Sequence, residues 1–513
     1  MSRDKVLPDK LERRRFLASA GAAVGVGVAG AALAPVRAVA ATHVPRKWDD
    51  TVDVIVIGTG FAGLSAAVEA RTAGAQVLVL EKMAVHGGNS IINGGDFAAA
   101  GTAEQAALGI QDTPDLMLAD MLKAGGSLNH PDLARMVAYG SKDALEWTQQ
   151  VIGAKYVRVN FHGGHSVKRS HQCVNGSGGE LVNKLLAKAQ SLGARIEMRT
   201  KVLRLVRGED GRLEGLEVRR GYLFPNESSG EVAYIRARRG VVLASGGFSQ
   251  DVRLRQVHDP RLVEKFESTN HPGATGEVLL AACQVGAMDV QMDWIQLGPW
   301  TSPDEPGFGQ TPQFCERLVG YGLMVDPKSG KRFFKETGNR KERADAIIRL
   351  GHPAVIIGDA EAVARTVLPK TLEKAIEYGA VRKFETLDEL ARAYEMPVEA
   401  FREQVARWNG FVEKKKDDDL DCMIFKDATT TAKAPYYAAR LWPRVHHTMG
   451  GLVIDRDARV IGFDFQPIAG LYACGEVAGG VHGAVRLGSV AMTDCVVFGR
   501  IAGRNAAQHV AAT

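Results

Sequence analysis

At 513 residues the chain is long enough for two or three domains, and 45% hydrophobic with 24% charged residues describes an ordinary globular protein rather than a disordered or fibrous one. The formal net charge of +5 gives no nucleic-acid surface, because residues 1–40 hold seven basic and three acidic side chains and so account for four of those charges. Six cysteines occur with no C-x-x-C and no C-x-x-C-H, which argues against covalently attached c-type haem and thiolate zinc sites.

Taken in chain order, Arg13-Arg14-Arg15-Phe16-Leu17 fits a twin-arginine pattern. A run rich in Ala, Gly and Val follows over 18–34, and Ala38-Val39-Ala40 offers small residues for cleavage. The run is short and Gly-rich for a membrane span. Residues 1–40 are therefore expected to be an export signal, and the mature protein periplasmic. An apolar, β-branched stretch at 53–57 predicts a buried parallel strand, 61–73 a helix closed by Gly74, and 76–80 a second strand. These make a right-handed βαβ unit. An amphipathic helix is expected at 181–192, with strands at 195–198, 202–206 and 240–244. From about 288 to 436 the pattern shifts to helices and loops with more charge, and strand-like, glycine-rich sequence returns at Met449. The outline is an α/β nucleotide-binding domain interrupted by a second domain.

Gly58-Thr59-Gly60-Phe61-Ala62-Gly63 spells G-x-G-x-x-G between the predicted strand and helix, with Glu81 at the end of the next strand. The glycines permit a tight turn and close backbone approach, so the helix N-terminus can meet a pyrophosphate while Glu81 accepts from ribose hydroxyls. Gly87-Gly88-Asn89-Ser90 and Gly94-Gly95 form a second glycine-rich stretch suited to a long cofactor, and Gly475-Glu476 offers a further backbone approach near the C-terminus. Outside the expected export segment no second G-x-G-x-x-G marks a nicotinamide domain, so FAD is favoured over NAD.

From about Asp53 onward these and later motifs resemble the flavin subunits of soluble fumarate reductases and their urocanate- and cinnamate-type enoate reductase relatives. The stretches that carry the resemblance include Gly163-Gly164-His165-Ser166-Val167-Lys168-Arg169-Ser170-His171, Asn270-His271-Pro272-Gly273-Ala274-Thr275-Gly276-Glu277, His446-His447-Thr448-Met449-Gly450-Gly451 and Gly475-Glu476-Val477-Ala478-Gly479-Gly480. The resemblance implies an α/β fold, with a Rossmann-like FAD-binding domain (41–287 and 437–513) interrupted by a smaller α+β capping domain (288–436). It places Lys82, Val202, Gly246, Gly247, Asn270, Gly276, His446, Arg486 and Ser489 at the cofactor. It implies non-covalent FAD, since Asn89 and Ser90 stand where relatives with linked flavin have a histidine. It assigns Arg340 as proton donor, Glu316 as its relay, and Arg486 with His447 as the clamp on a substrate carboxylate. The activity implied is reduction of a C=C bond beside a carboxylate, with hydride from flavin N5 to Cβ and a proton from Arg340 to Cα. The chain has no haem domain of its own, so electrons are expected from an external cytochrome or quinol-linked protein.

Three departures stand out. Gly298 and Cys315 occupy the positions of the histidine and threonine that hold fumarate's second carboxylate, and Val319 stands where a relay arginine follows the glutamate by three, with Arg317 a candidate substitute. A second carboxylate would then be buried without partners, at a cost of several kcal/mol by order of magnitude. The expected substrate is a monocarboxylic enoate with an apolar, aromatic or heteroaromatic β-group, flanked by Trp294 or Trp300. A ketosteroid-type dehydrogenase and a non-catalytic flavin electron carrier are the alternatives. His165, His171, His271 and His482 read as structural or flavin-adjacent, and no metal is expected.

Overall fold

Every side chain from Val54 to Ile57 is buried, as a strand covered on both faces requires. In the computed structural model, which describes residues 44–264 and 266–509, this strand (Asp50–Ile57) is central to a sheet ordered Arg459–Ile461, Pro467–Ala473, Glu231–Leu243, Asp50–Ile57, Val77–Leu80, Arg195–Glu197. The inner pairings are parallel, with Ile57 opposite both Leu80 and Leu243. An antiparallel ribbon, Thr200–Arg207 and Leu213–Arg220, joins through Glu231–Leu243. The predicted βαβ unit is present, its helix running Phe61–Thr72. The export signal expected in residues 1–40 lies outside the described residues. Among the described residues no helix is long and apolar enough to cross a membrane.

The C-terminal helix Val490–Gln508 lies against Phe61–Thr72. Glycine is required at the crossing: a Cβ on Gly503 would stand 2.2 Å from the Ala66 carbonyl oxygen, and one on Gly499 2.6 Å from that of Ala62. This holds the helix whose N-terminus faces the glycine-rich turn.

A second hydrophobic core runs from Trp300 to Leu441. Its charge pattern suggests helices and loops, yet it contains a five-stranded antiparallel sheet ordered Lys331–Arg332, Leu323–Asp326, Ala354–Asp359, Tyr436–Leu441, Arg382–Phe384, with helices packed on it. The α+β cap is therefore present, and its sheet extends to Leu441. Two antiparallel ribbons connect the cores: Asp289–Val290 with Gly451–Leu452, and Ile295–Gly298 with Arg444–Thr448. The second sets His447 opposite Gln296, whose amide donates to the Arg486 carbonyl at 2.8 Å.

Candidate active site

Two clefts, of about 950 and 980 Å³, share Phe61, Asn89, Ser90, Glu476 and Cys495 and so form one continuous groove. The first is built on the glycine-rich turn. Gly58 has φ +108°, and a Cβ there would stand 2.3 Å from the Ala244 carbonyl oxygen, so no other residue fits. The helix that follows starts without a side-chain cap and without an acid in its first turn, leaving its positive end for an anion. The Glu81 carboxylate receives the Thr59 hydroxyl at 2.6 Å and the Met83 amide at 3.0 Å and lines the cleft. Lys82 lines it too, ion-paired to Glu277 at 2.9 Å. Gly87 (φ +100°) and Gly88 (φ +47°) turn the chain so that Ser90 Oγ accepts from the Phe61 amide at 3.0 Å, while Asn89 Oδ1 accepts from the His271 amide at 2.8 Å. A long, open-ended cleft with an uncapped helix end and a carboxylate just past the next strand suits a dinucleotide in chemistry and extent.

The second cleft gathers the residues expected to act on substrate. Arg340, Glu316, His447 and Arg486 all line it, together with Gly94, Asn270, His446 and Ser489. All four are about 95% buried. Among the described residues their polar atoms are conspicuously unmatched: Arg340 Nε and Nη1, Arg486 Nε and His447 Nε2 have no hydrogen-bond partner. Arg486 gives Nη1 only to the Leu487 carbonyl at 3.1 Å. Buried donors left without acceptors cost about 1–3 kcal/mol each, and more when charged, so this cluster calls for an anionic ligand.

The electrostatics agree. Burial holds Arg340 down to about 10, with Glu316 opposing and the Arg343 charge adding to the effect. Burial, then the Arg340 charge, pushes Arg486 well below the usual arginine range, with Glu476 opposing. Burial and Arg486 keep His447 and His446 neutral far below the ordinary histidine value. The Glu476 carboxyl, which stands 3.4 Å from His447 Nδ1, is raised to about 7 by burial. A bound carboxylate would favour the charged forms of both arginines.

Glu316 has a partner that the sequence did not disclose. Arg343 donates to its Oε1 at 2.6 Å. Arg317, the substitute considered for the missing relay arginine, does not reach Glu316; it binds Asp96 at 2.6 Å and His162 Nε2 at 3.0 Å. Asp96, His162, Arg317 and Gln313 extend the cleft wall from Glu316 toward Ile92.

The departures take physical form. A Cβ on Gly298 would stand 2.9 Å from the Trp300 indole, so the absent side chain makes room for that ring. Trp300 lines the cleft with Arg340 over its face at 5.0 Å and His446 edge-on at 4.6 Å. Trp294 does not line the cleft, and Cys315 is buried in the cap core that also holds Trp300 and Phe314.

Of the residues expected at the cofactor, Gly58, Gly60, Ala62, Val202 and Gly246 line the first cleft beside those already named. Gly63, Gly95, Gly247, Gly276 and Gly475 line neither cleft. They serve close packing instead: a Cβ on Gly63 would meet the Gly58 carbonyl at 2.0 Å, and one on Gly247 the Thr448 hydroxyl at 2.1 Å. Sequence reasoning missed Thr59, Thr275 and Glu277 in the first cleft and Asp96, His162 and Phe308 in the second. Thr59, inside the glycine motif, and Thr275 and Glu277, inside the stretch 270–277, had a local signal.

Comparison with known proteins places these features in context. Residues 53–492 match the FAD binding domain family. The acrylate reductase flavoprotein subunit of Shewanella woodyi is 38% identical, covering 97% of this chain and 98% of that protein. The fumarate reductase (cytochrome) of Shewanella frigidimarina is 36% identical, covering 90% and 78%. Among solved structures, the open conformation of a flavocytochrome c3 fumarate reductase superposes with a TM-score of 0.70 at 30% identity, covering 99% of this chain and 83% of that one.

Proposed function

The chain belongs to the FAD binding domain family of flavin oxidoreductases, and from that premise we propose that it reduces the C=C bond of an α,β-unsaturated monocarboxylate. The observation that carries this reading is the convergence of unpartnered, buried Arg340, Arg486 and His447 donors on the cleft that continues the dinucleotide site. Support for a single carboxylate comes from the Trp300 ring beside Gly298 and from Cys315 facing the cap core. The similarity to a protein named for acrylate, a three-carbon monocarboxylate, points the same way.

FAD bound in the first cleft would supply the hydride chemistry. The chain's own residues do the rest. Arg486 presents a guanidinium fork and His447 a neutral imidazole to the substrate carboxylate. They fix the alkene and stabilise the negative charge that grows on Cα and the carboxylate. Arg340, its acidity raised by burial, delivers the proton to Cα. Trp300 and Phe308 provide an apolar seat for the β-group.

FAD binds non-covalently in this reading, so acid or urea should release all flavin into the supernatant. Two electrons per turnover come from an external redox protein; the similar acrylate reductase protein is named as a flavoprotein subunit, which supports a partner chain. Export to the periplasm through the segment at Arg13-Arg14 completes the proposal.

The test is an anaerobic screen of acrylate, cinnamate, urocanate and fumarate against the FAD-loaded chain and reduced viologen, with Arg340→Ala as control. Turnover of a monocarboxylate and loss of it in the control are expected. Fast reduction of fumarate alone would overturn the monocarboxylate assignment, and no turnover of any enoate would favour an electron carrier.

A further inference from the structure

Position 319, where the resemblance leads one to expect a relay arginine, is a valine buried in the fold. Yet Glu316 still receives a guanidinium. Arg343 Nη2 donates to its Oε1 at 2.6 Å, and both side chains are about 95% buried or more. Arg343 arrives from the opposite element, the helix Arg340–Leu350 that also carries Arg340. That helix is fixed at its start by a capping box: Asn339 Oδ1 accepts from the Glu342 amide at 3.0 Å and the Glu342 carboxylate from the Asn339 amide at 3.2 Å. Arg340 and Arg343 therefore share one face, a turn apart, while Lys341 and Glu342 between them are exposed.

The other groups around Glu316 are committed elsewhere. An arginine only donates, so the 3.0 Å contact from Arg317 obliges His162 Nε2 to carry its lone pair and places the imidazole proton on Nδ1. That Nδ1 stands 3.7 Å from Glu316 Oε2, beyond hydrogen-bond reach. Among the described residues, Arg343 is thus the side chain within hydrogen-bond distance of the Glu316 carboxylate. Arg317 is held by Asp96 and by Gln313 Oε1 at 3.0 Å.

We propose that Arg343 fills the vacant relay position, a positioning residue that has moved from the glutamate's helix to the proton donor's helix. The proposal rests on the reading of Arg340 as proton donor. Arg340 gives a proton to Cα and is left as a neutral guanidine. Arg343 passes a proton to the Glu316 carboxylate, the resulting acid passes one on to Arg340 through a bridging water, because the two side chains make no direct hydrogen bond, and solvent water restores Arg343. One water-derived proton is consumed per C–H bond formed at Cα. No electrons move in this sequence, since both accompany the hydride.

Three variants of the FAD-loaded chain test it. Arg343→Met should lower kcat by about 100-fold, within the range for loss of a proton-transfer group, while KM and the FAD-to-protein absorbance ratio stay near the parent values and the melting temperature falls, because Glu316 loses its buried partner. Arg343→Lys should recover most of the rate and move the alkaline limb of the kcat profile to lower pH, because lysine releases its proton more readily than arginine. Arg343→Met/Val319→Arg should regain at least about tenfold over the single variant, returning the guanidinium from the glutamate's own side. The proposal falls if Arg343→Met turns over within about threefold of the parent, a change too small for a proton-transfer step. It falls equally if the loss follows FAD content and melting temperature with no recovery by lysine, or if His162→Phe is the more damaging change. Failure of the underlying reading looks different: Arg340→Met would then keep its turnover.

Discussion

At the scale of single residues, the clamp and the donor should separate kinetically. Arg486 touches the carboxylate in ground and transition states alike, so Arg486→Ala should raise KM as well as lower kcat, with kcat/KM falling by about 100-fold or more. Arg340 acts only when charge reaches Cα, so Arg340→Ala should depress kcat by roughly 10²–10⁴-fold at nearly constant KM. Steady-state kinetics on the monocarboxylate that proves fastest reads both. Gly298 makes a third, structural case. The indole of Trp300 is fully buried against it, and Gly298→Ala should destabilise the fold by about 1–3 kcal/mol through overpacking, seen as a lower melting temperature. By the same geometry, Gly298→His should not confer fumarate reduction while Trp300 remains, because the ring occupies the imidazole's space.

At the scale of elements, what the sequence disclosed was what is local. The strand Asp50–Ile57, the turn at Gly58 and the helix Phe61–Thr72 are consecutive, and each signals itself by apolar run, glycine or periodicity. Arg340, Glu316, His447 and Arg486 were identifiable through motifs that resemble a family, and the structure brings all four to one cleft. The cap's sheet was not legible, because Lys331–Arg332 and Arg382–Phe384 are too short and too charged to show alternation. Nor was the bond between Glu316 and Arg343, which joins residues 27 apart on two helices. The glycines of the C-terminal helix illustrate the same limit: nothing in Val490–Gln508 announces that Gly499 and Gly503 meet backbone oxygens of another helix. Replacing Gly503 with alanine should cost about 1–3 kcal/mol and tilt Phe61–Thr72 away from the turn it serves. The expected signature is a lower melting temperature together with weaker FAD retention on gel filtration, and an unchanged retention would show that the two helices move independently.

At the scale of the whole molecule, the buried cationic site shapes how stability depends on pH. Burial lowers the proton affinity of His162, His165, His446 and His447 in the fold. Each binds fewer protons folded than unfolded once pH drops toward the free histidine value near ~6.5, so each withdraws stability on acidification. Glu476, raised to about 7, and Asp96, also raised by burial, act in the opposite sense: they favour the folded state at low pH and lose that contribution as pH rises through their folded values. One group contributes at most about 1.4 kcal/mol per pH unit. Four histidines outweigh the carboxyls, so acidification from pH ~6.5 to ~5.5 leaves a net loss of stability. The FAD-free chain should therefore have a lower urea midpoint at pH 5.5 than at pH 7.5, and replacing His446 and His447 with glutamine should flatten the difference. A midpoint that rose on acidification would mean that these imidazoles are protonated in the fold. That would place extra cations in a cleft whose two arginines already await an anion, and such a charge could persist only if a carboxylate ligand were bound there.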